Sequence, residues 1–286
     1  MSETSSKKLI AFNYFGGKYS HLNFILKRLP QTKSFVDVFG GSGVVILNKK
    51  PVKIETYNDL DSTVVNFFNI LRNNSDELLE KIYLTPYSRE EYWDCFKNIN
   101  KGNEIERARR FFVTVNQSFN GSYSRQTGWK MSTKQVRTLT SEALNRWLSK
   151  IPNLEIIIER LRKIQISNYD FRAVFEKFDS PDTLFYCDPP YPHETRSNNN
   201  EYRFEMSTQD HIELLELVLN LKGKIAISGY DNELYNEKLK SFHKSMAKPK
   251  PAMLFHSFRQ EVLWTNYNPD HIHSQGYLFH AIPRSN

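Results

Sequence analysis

Short apolar runs recur along this chain, and between them apolar residues fall three and four positions apart. The runs at 35–39, 53–57, 163–167, 183–187, 224–228 and 261–265 have the length and the aromatic or β-branched content of strands. The intervals 44–50 and 210–221 carry helical spacing, and Pro51 stops the first of them. This alternation predicts an α/β fold built on one sheet. From 62 the helical rhythm takes over, with Val64, Val65, Phe67, Phe68 and Leu71 on one face, and it holds to about 161. A single break at 116–129, rich in Asn, Ser, Gly, Gln and aromatics, interrupts it. A mostly helical insertion is therefore expected at 62–161, with 1–61 and 162–270 forming the sheet domain and 271–286 a tail. The Asn-rich loop at 195–200 is read as a lid or a linker.

The residues that close the strands carry the candidate chemistry. After the first strand, Gly40-Gly41-Ser42-Gly43 makes a turn into a helix, a place where backbone can approach a ligand closely. The second strand ends in Asn58-Asp59-Leu60-Asp61, and an acid there is placed to bind ribose hydroxyls. The glycine turn is not G-x-G-x-x-G, which weakens a nicotinamide enzyme as an alternative. The run Thr183–Cys187 ends in Asp188-Pro189-Pro190-Tyr191. Prolines cannot continue a ladder or donate hydrogen bonds, so this loop offers acceptors. An exocyclic amino group could give one N–H to the Asp188 carboxylate and the other to the Pro189 carbonyl, with the Tyr191 ring over the base. Adenine and cytosine both meet that demand. Taken alone, the tetrapeptide is equally a Pro-Pro turn with an incidental acid.

Composition narrows the choice. No stretch is long and apolar enough to span a membrane, and 1–8 leads into no secretory segment, so a cytoplasmic address is expected. Two cysteines, Cys95 and Cys187, exclude a disulfide framework, and Cys187 reads as a small buried strand residue. His271, His273 and His280 lack an accompanying acidic or cysteine cluster, and no metal is expected. The net charge of +7 is concentrated: 101–150 holds ten Lys and Arg against three acids, while the remainder carries 29 of each sign. Such a basic insert, Lys130 included, is the footprint of a surface that meets nucleic-acid phosphates.

Four segments in order, Tyr14-Phe15-Gly16-Gly17-Lys18, Asp37-Val38-Phe39-Gly40-Gly41-Ser42-Gly43, Asn168-Tyr169-Asp170-Phe171 and Asp188-Pro189-Pro190-Tyr191, resemble the DNA N6-adenine methyltransferases, and within them the Dam-like group. The resemblance runs through Pro269. It implies a Rossmann-like S-adenosylmethionine-dependent methyltransferase sheet with an inserted DNA-recognition domain. It also implies methyl transfer to adenine N6 in double-stranded DNA, by direct in-line attack on a flipped base. By that resemblance Tyr14, Lys18, Asp37, Phe39, Gly40, Gly41, Ser42 and Gly43 form the cofactor pocket. Asp59 then serves the ribose, Asp170 the adenine amino group, Phe171 the adenine ring, and Asp188 borders both substrates. The catalytic loop is Asp188, Pro189, Pro190 and Tyr191. The break at 116–125 resembles the family's DNA-reading hairpin through Phe119-Asn120-Gly121, which implies Phe119 as a wedge and Asn120 and Arg125 at base edges or phosphates. Residues 122–129 depart from that pattern, so no target sequence is implied. An RNA or single-strand adenine methyltransferase and a non-catalytic DNA-binding homologue stay open as alternatives.

Overall fold

The computed structural model describes residues 8–14, 16–134, 140–192, 203–248 and 260–272. The loop at 195–200, His273, His280 and nearly all of the tail lie outside these residues. Seven strands form one sheet in the order β3-β2-β1-β4-β5-β7-β6. They are β1 (Ser34–Asp37), β2 (Ile54–Asn58), β3 (Gln165–Ser167), β4 (Thr183–Cys187), β5 (Lys224–Tyr230), β6 (His243–Met246) and β7 (Glu261–Thr265). The first five pair in parallel, and β7 runs antiparallel to both β5 and β6. All six strands expected from the sequence are present. The seventh, β6, was not expected: its residues His243-Lys244-Ser245-Met246 are mostly exposed at the sheet edge and carry no apolar run.

Every residue of β1 and β4 is buried, so alternate side chains serve opposite faces. Phe35, Leu184 and Tyr186 face one apolar layer; Val36, Phe185 and Cys187 face the other. The second layer is closed by α9 (Phe171–Phe178), α10 (Thr208–Asn220) and α11 (Glu233–Lys238). The first holds α1 (Leu22–Leu26), α2 (Val44–Asn48) and the helices that follow β2. These are α3 (Ser62–Asn73), α4 (Ser75–Tyr83), α5 (Arg89–Lys97), α6 (Glu104–Gln117), α7 (Glu142–Leu148) and α8 (Ile151–Leu161). Phe67 of α3 lies between Phe12 (5.3 Å), Phe111 (5.6 Å) and Phe112 (5.6 Å), which joins the chain's start to α3 and α6. No helix among the described residues is long and apolar enough to cross a membrane.

One buried ion pair ties α8 to the sheet. Arg160 donates from both terminal nitrogens to the two oxygens of Glu55 on β2, each at 2.6 Å, and also to the Ile46 carbonyl on α2 at 2.9 Å. Beside it Lys49 is buried, its ammonium 3.3 Å from Gln31 Oε1. Burial lowers the Lys49 pKa from 10.5 to about 8, an effect that nearby Glu55 only partly offsets. Since the folded pKa lies below the unfolded one, the unfolded chain binds more protons between these values. Stability therefore climbs with pH across that window, and the full penalty stands below about 8. Lys49→Met is expected to raise the unfolding free energy at pH 7 by about 2–3 kcal/mol and to flatten that climb. Urea denaturation at pH 7 and pH 10 reads both effects.

Candidate active site

The chain leaves β1 toward β2 and leaves β4 toward β5, on opposite sides, so a crevice opens at the carboxyl ends of these neighbours. There the structure has a cleft of about 1110 Å³, open mouth included. It brings together Tyr14, Lys18, Asp37, Phe39, Gly40, Gly41, Ser42, Asp59, Asp170, Phe171, Asp188 and Pro190 from the sequence-derived set.

The glycine turn is shaped by what surrounds it. A Cβ on Gly40 would lie 2.2 Å from the Tyr57 ring, and Gly41 and Gly43 have φ of 49° and 67°, left-handed values that a side chain would strain. Asp59 accepts the Gly41 N–H at 2.7 Å through one oxygen and the Asp61 N–H at 2.8 Å through the other, while Tyr57 donates to the Gly41 carbonyl at 2.7 Å. Asp59 thus fixes the turn as well as bordering the cleft. Burial raises its pKa to about 6 against those two hydrogen bonds. Asp37, 1% exposed, has an oxygen with no hydrogen-bond partner, and burial followed by the Asp188 charge pushes its pKa well up. Asp170 caps α9 through the Arg172 N–H at 2.9 Å and also receives the Arg172 guanidinium. Phe171 packs on Phe39 with ring centroids 5.9 Å apart.

Asp188 continues from β4 into a polar knot. Its Oδ1 accepts from Lys18 at 2.7 Å and from Ser228 at 3.0 Å, and Ser228 is itself joined to the Tyr186 hydroxyl at 2.9 Å. Among the described residues both hydrogen-bond partners fall on Oδ1, which leaves Oδ2 for an incoming donor. Burial raises Asp188 to about 6, with Lys18 opposing and Glu261 reinforcing the rise. Lys18 therefore does more than complete a pocket wall: it is nearly fully buried and neutralises the loop acid. Tyr191 takes a different place from the base-covering one expected. Its ring is buried edge-on against Tyr230, 4.5 Å away, with the Lys18 ammonium 4.6 Å above it. Its hydroxyl donates to Glu261 at 3.0 and 3.1 Å, and it does not line the cleft, nor does buried Pro189. Cys187 is wholly buried in β4, and burial pushes its thiol up, away from the reactive thiolate.

Ser118 and Trp129 bridge as antiparallel partners, so the break in the helical insertion is a small hairpin. Phe119 stands 46% exposed on a 3₁₀ turn, Phe119–Gly121. Asn120 lies in that turn, but its side chain is outside the described set. Arg125 and Lys130 lie on the same hairpin, half-buried and away from the cleft. The basic excess is smaller than the sequence count suggests. Arg109 and Arg110 pair with Glu91 and Asp94 of α5, acids that lie outside 101–150, and Arg146 pairs with Glu142. Among the described residues no ion pair holds Lys101, Arg107, Arg125, Lys130 or Lys134.

A family model of D12 class N6 adenine-specific DNA methyltransferases matches residues 14–251. The chain belongs to this family. The D12-class assignment bears out the Dam-like resemblance and makes the protein an adenine-specific DNA methyltransferase that acts on DNA. Among its relatives, the DNA adenine methylase of Vibrio cholerae serotype O1 is 28% identical over 210 residues, 68% of this chain and 70% of that protein. The Type II methyltransferase M1.LlaDCHI of Lactococcus lactis subsp. cremoris is 27% identical over 245 residues, 80% of this chain and 83% of its own. The Type II methyltransferase M.FokI of Planomicrobium okeanokoites is 28% identical over 293 residues, 93% of this chain but 44% of its own.

Three participants of this D12-class cleft escaped the sequence. Ser228 is brought beside Asp188 by the β4–β5 register, in which Cys187 stands opposite Ile227. Glu261 opens a fully buried strand with an apolar middle, and a charge at such a position was a usable signal. Asp61 is 3% exposed and lines the cleft two residues beyond the acid that was singled out.

Proposed function

We propose that this D12-class enzyme transfers a methyl group from S-adenosyl-L-methionine to N6 of an adenine flipped out of double-stranded DNA, by direct in-line attack. The observation that carries this reading is the shared cleft: the Asp188 carboxylate, held by Lys18 and Ser228, stands in the same cavity as the glycine turn and Asp59. The residues suit that donor. Gly40 and Gly41 present backbone without side chains, Asp59 serves the ribose, Phe39 and Phe171 supply apolar rings, and the orphaned Asp37 oxygen awaits a hydrogen-bond donor. Bound S-adenosylmethionine supplies a methyl already activated on a sulfonium sulfur, so no metal or covalent intermediate is required. Asp188 accepts from the amino group and draws its lone pair out of conjugation. As the N6–carbon bond forms and the carbon–sulfur bond breaks, N6 loses one proton, and Asp188 Oδ2 is the available acceptor.

Residues 62–161 serve as the target-recognition region in this reading. Phe119, Asn120, Arg125 and Lys130 then meet DNA, while 1–61 and 162–270 carry out the chemistry. Incubation with labelled cofactor and duplex DNA, followed by nucleoside analysis, is expected to yield N6-methyladenine. Label recovered only in cytosine, or a preference for RNA over duplex DNA, would overturn the assignment.

The Asp188 anion is the active form, so kcat/KM is expected to fall as pH drops through about 6. Asp59 titrates in the same range, and Lys18→Met separates the two. Removing the cation that opposes protonation of Asp188 should move the acid limb upward by about 1–2 units. A pH–rate profile that stays in place in the variant counts against Asp188 as the titrating group.

A further inference from the structure

Asp61 is where three parts of the molecule meet. It caps α3 by accepting the Thr63 N–H at 2.8 Å, and its own N–H fixes Asp59, whose second oxygen holds Gly41 of the glycine turn. Tyr123 of the hairpin donates its hydroxyl to Asp61 Oδ2. Arg203, on the far side of the catalytic loop in the chain, approaches Asp61 Oδ1 at 3.5 Å and donates to Thr63. Asp61 and Arg203 both line the cleft. The hairpin is also pressed onto the segment that enters the cleft. A Cβ on Gly121 would lie 2.8 Å from the Asn13 backbone, Asn116 accepts the Asn13 N–H at 3.3 Å, and the Tyr123 ring lies against Phe111 (5.0 Å) and Tyr14 (6.3 Å). Burial, then Tyr14 and Asp61, push the Tyr123 phenol far up, so it remains a donor at any physiological pH.

The geometry points to Asp61 as a junction that couples seating of the hairpin on DNA to the grip of the glycine turn on the methyl donor, with Tyr123 as the positioning residue. The chain of contacts is continuous: Tyr123 hydroxyl to Asp61, Asp61 N–H to Asp59, Asp59 to Gly41. Anything that fixes Tyr123 fixes the turn. By linkage the effect is reciprocal: DNA tightens donor binding, and the donor tightens DNA binding by the same factor. This inference rests on the S-adenosylmethionine reading above.

Asp61 itself is a poor target for substitution because it caps α3. Tyr123→Phe keeps the ring packing and deletes only the hydroxyl. In the full-length protein, titration calorimetry with S-adenosylmethionine, with and without a duplex oligonucleotide, is expected to show two changes in the variant. The donor Kd rises about tenfold, and the factor by which DNA tightens it falls toward one, while kcat at saturating donor stays within a fewfold. Arg203→Met tests the same junction from its other side and should raise the donor Kd in the same direction. If the wild-type protein binds S-adenosylmethionine and both variants keep its Kd and its DNA enhancement, the junction is overturned while the donor reading stands. If the wild-type protein does not bind it, the donor reading falls and takes the junction with it.

Discussion

Asp188→Ala is expected to lower kcat by about 10³-fold, or about 4 kcal/mol of transition-state stabilisation, while donor affinity stays within a fewfold. The size follows from position. An adenine amino nitrogen keeps its lone pair in the ring, and the proposed acceptor acts only as that nitrogen turns tetrahedral, so its removal falls on the transition state more than on binding. The fold should survive the change. Deleting the carboxylate leaves a buried ammonium on Lys18, but Glu261 already lies 3.6 Å from it and can take over as counter-ion. Removal of Asp188 also relieves Asp37, which its charge helps to push up. Single-turnover rates and donor titration on the same preparation separate the two effects. Near-native turnover in the variant would reject a catalytic role for this acid.

How much of this was legible in the sequence depends on whether a contact is local or comes from register. The glycine turn, the acid after β2 and the Asp-Pro-Pro-Tyr loop each follow a strand in the chain, so reading strand ends found them and the structure gathered all three segments at one crevice. β4 and β7 were read to the residue from their apolar runs, whereas β1, equally buried, ends two residues before its run does because Val38 and Phe39 continue it. β6 was lost because an exposed edge strand shows no such run. Pairing across strands was invisible: Ser228 and Glu261 reach the loop acid and Tyr191 only through the order β4-β5-β7. Charge misled for the same reason. The window 101–150 looked strongly basic until α5 laid Glu91 and Asp94 against Arg109 and Arg110. Tyr191 shows the limit of a motif, since its position in the loop was clear but its burial on Glu261 depended on a strand some seventy residues away.

Arg160→Met is expected to destabilise the protein by about 3–5 kcal/mol. Glu55 is 2% exposed and, among the described residues, takes both of its side-chain hydrogen bonds from that guanidinium, so the variant strands a buried carboxylate. Lys49 is near enough to raise an objection. Its own pKa has fallen to about 8, however, a sign that burial already outweighs the attraction of Glu55. The double variant Glu55→Leu with Arg160→Met removes both charges and should recover most of the loss, because a well-packed apolar pair can match a buried ion pair. The two changes are therefore expected to be strongly non-additive, with a coupling of about 3 kcal/mol in a urea-denaturation cycle. The same cycle bears on function. Arg160 also holds the Ile46 carbonyl, and Ile46 belongs to the helix that follows the glycine turn. Even where the double variant regains its stability, that helix loses a hydrogen bond that no apolar residue replaces. Donor affinity should then stay weakened by a fewfold after the unfolding midpoint has recovered. Equal recovery of both would show that the pair stabilises the sheet without helping to hold the turn.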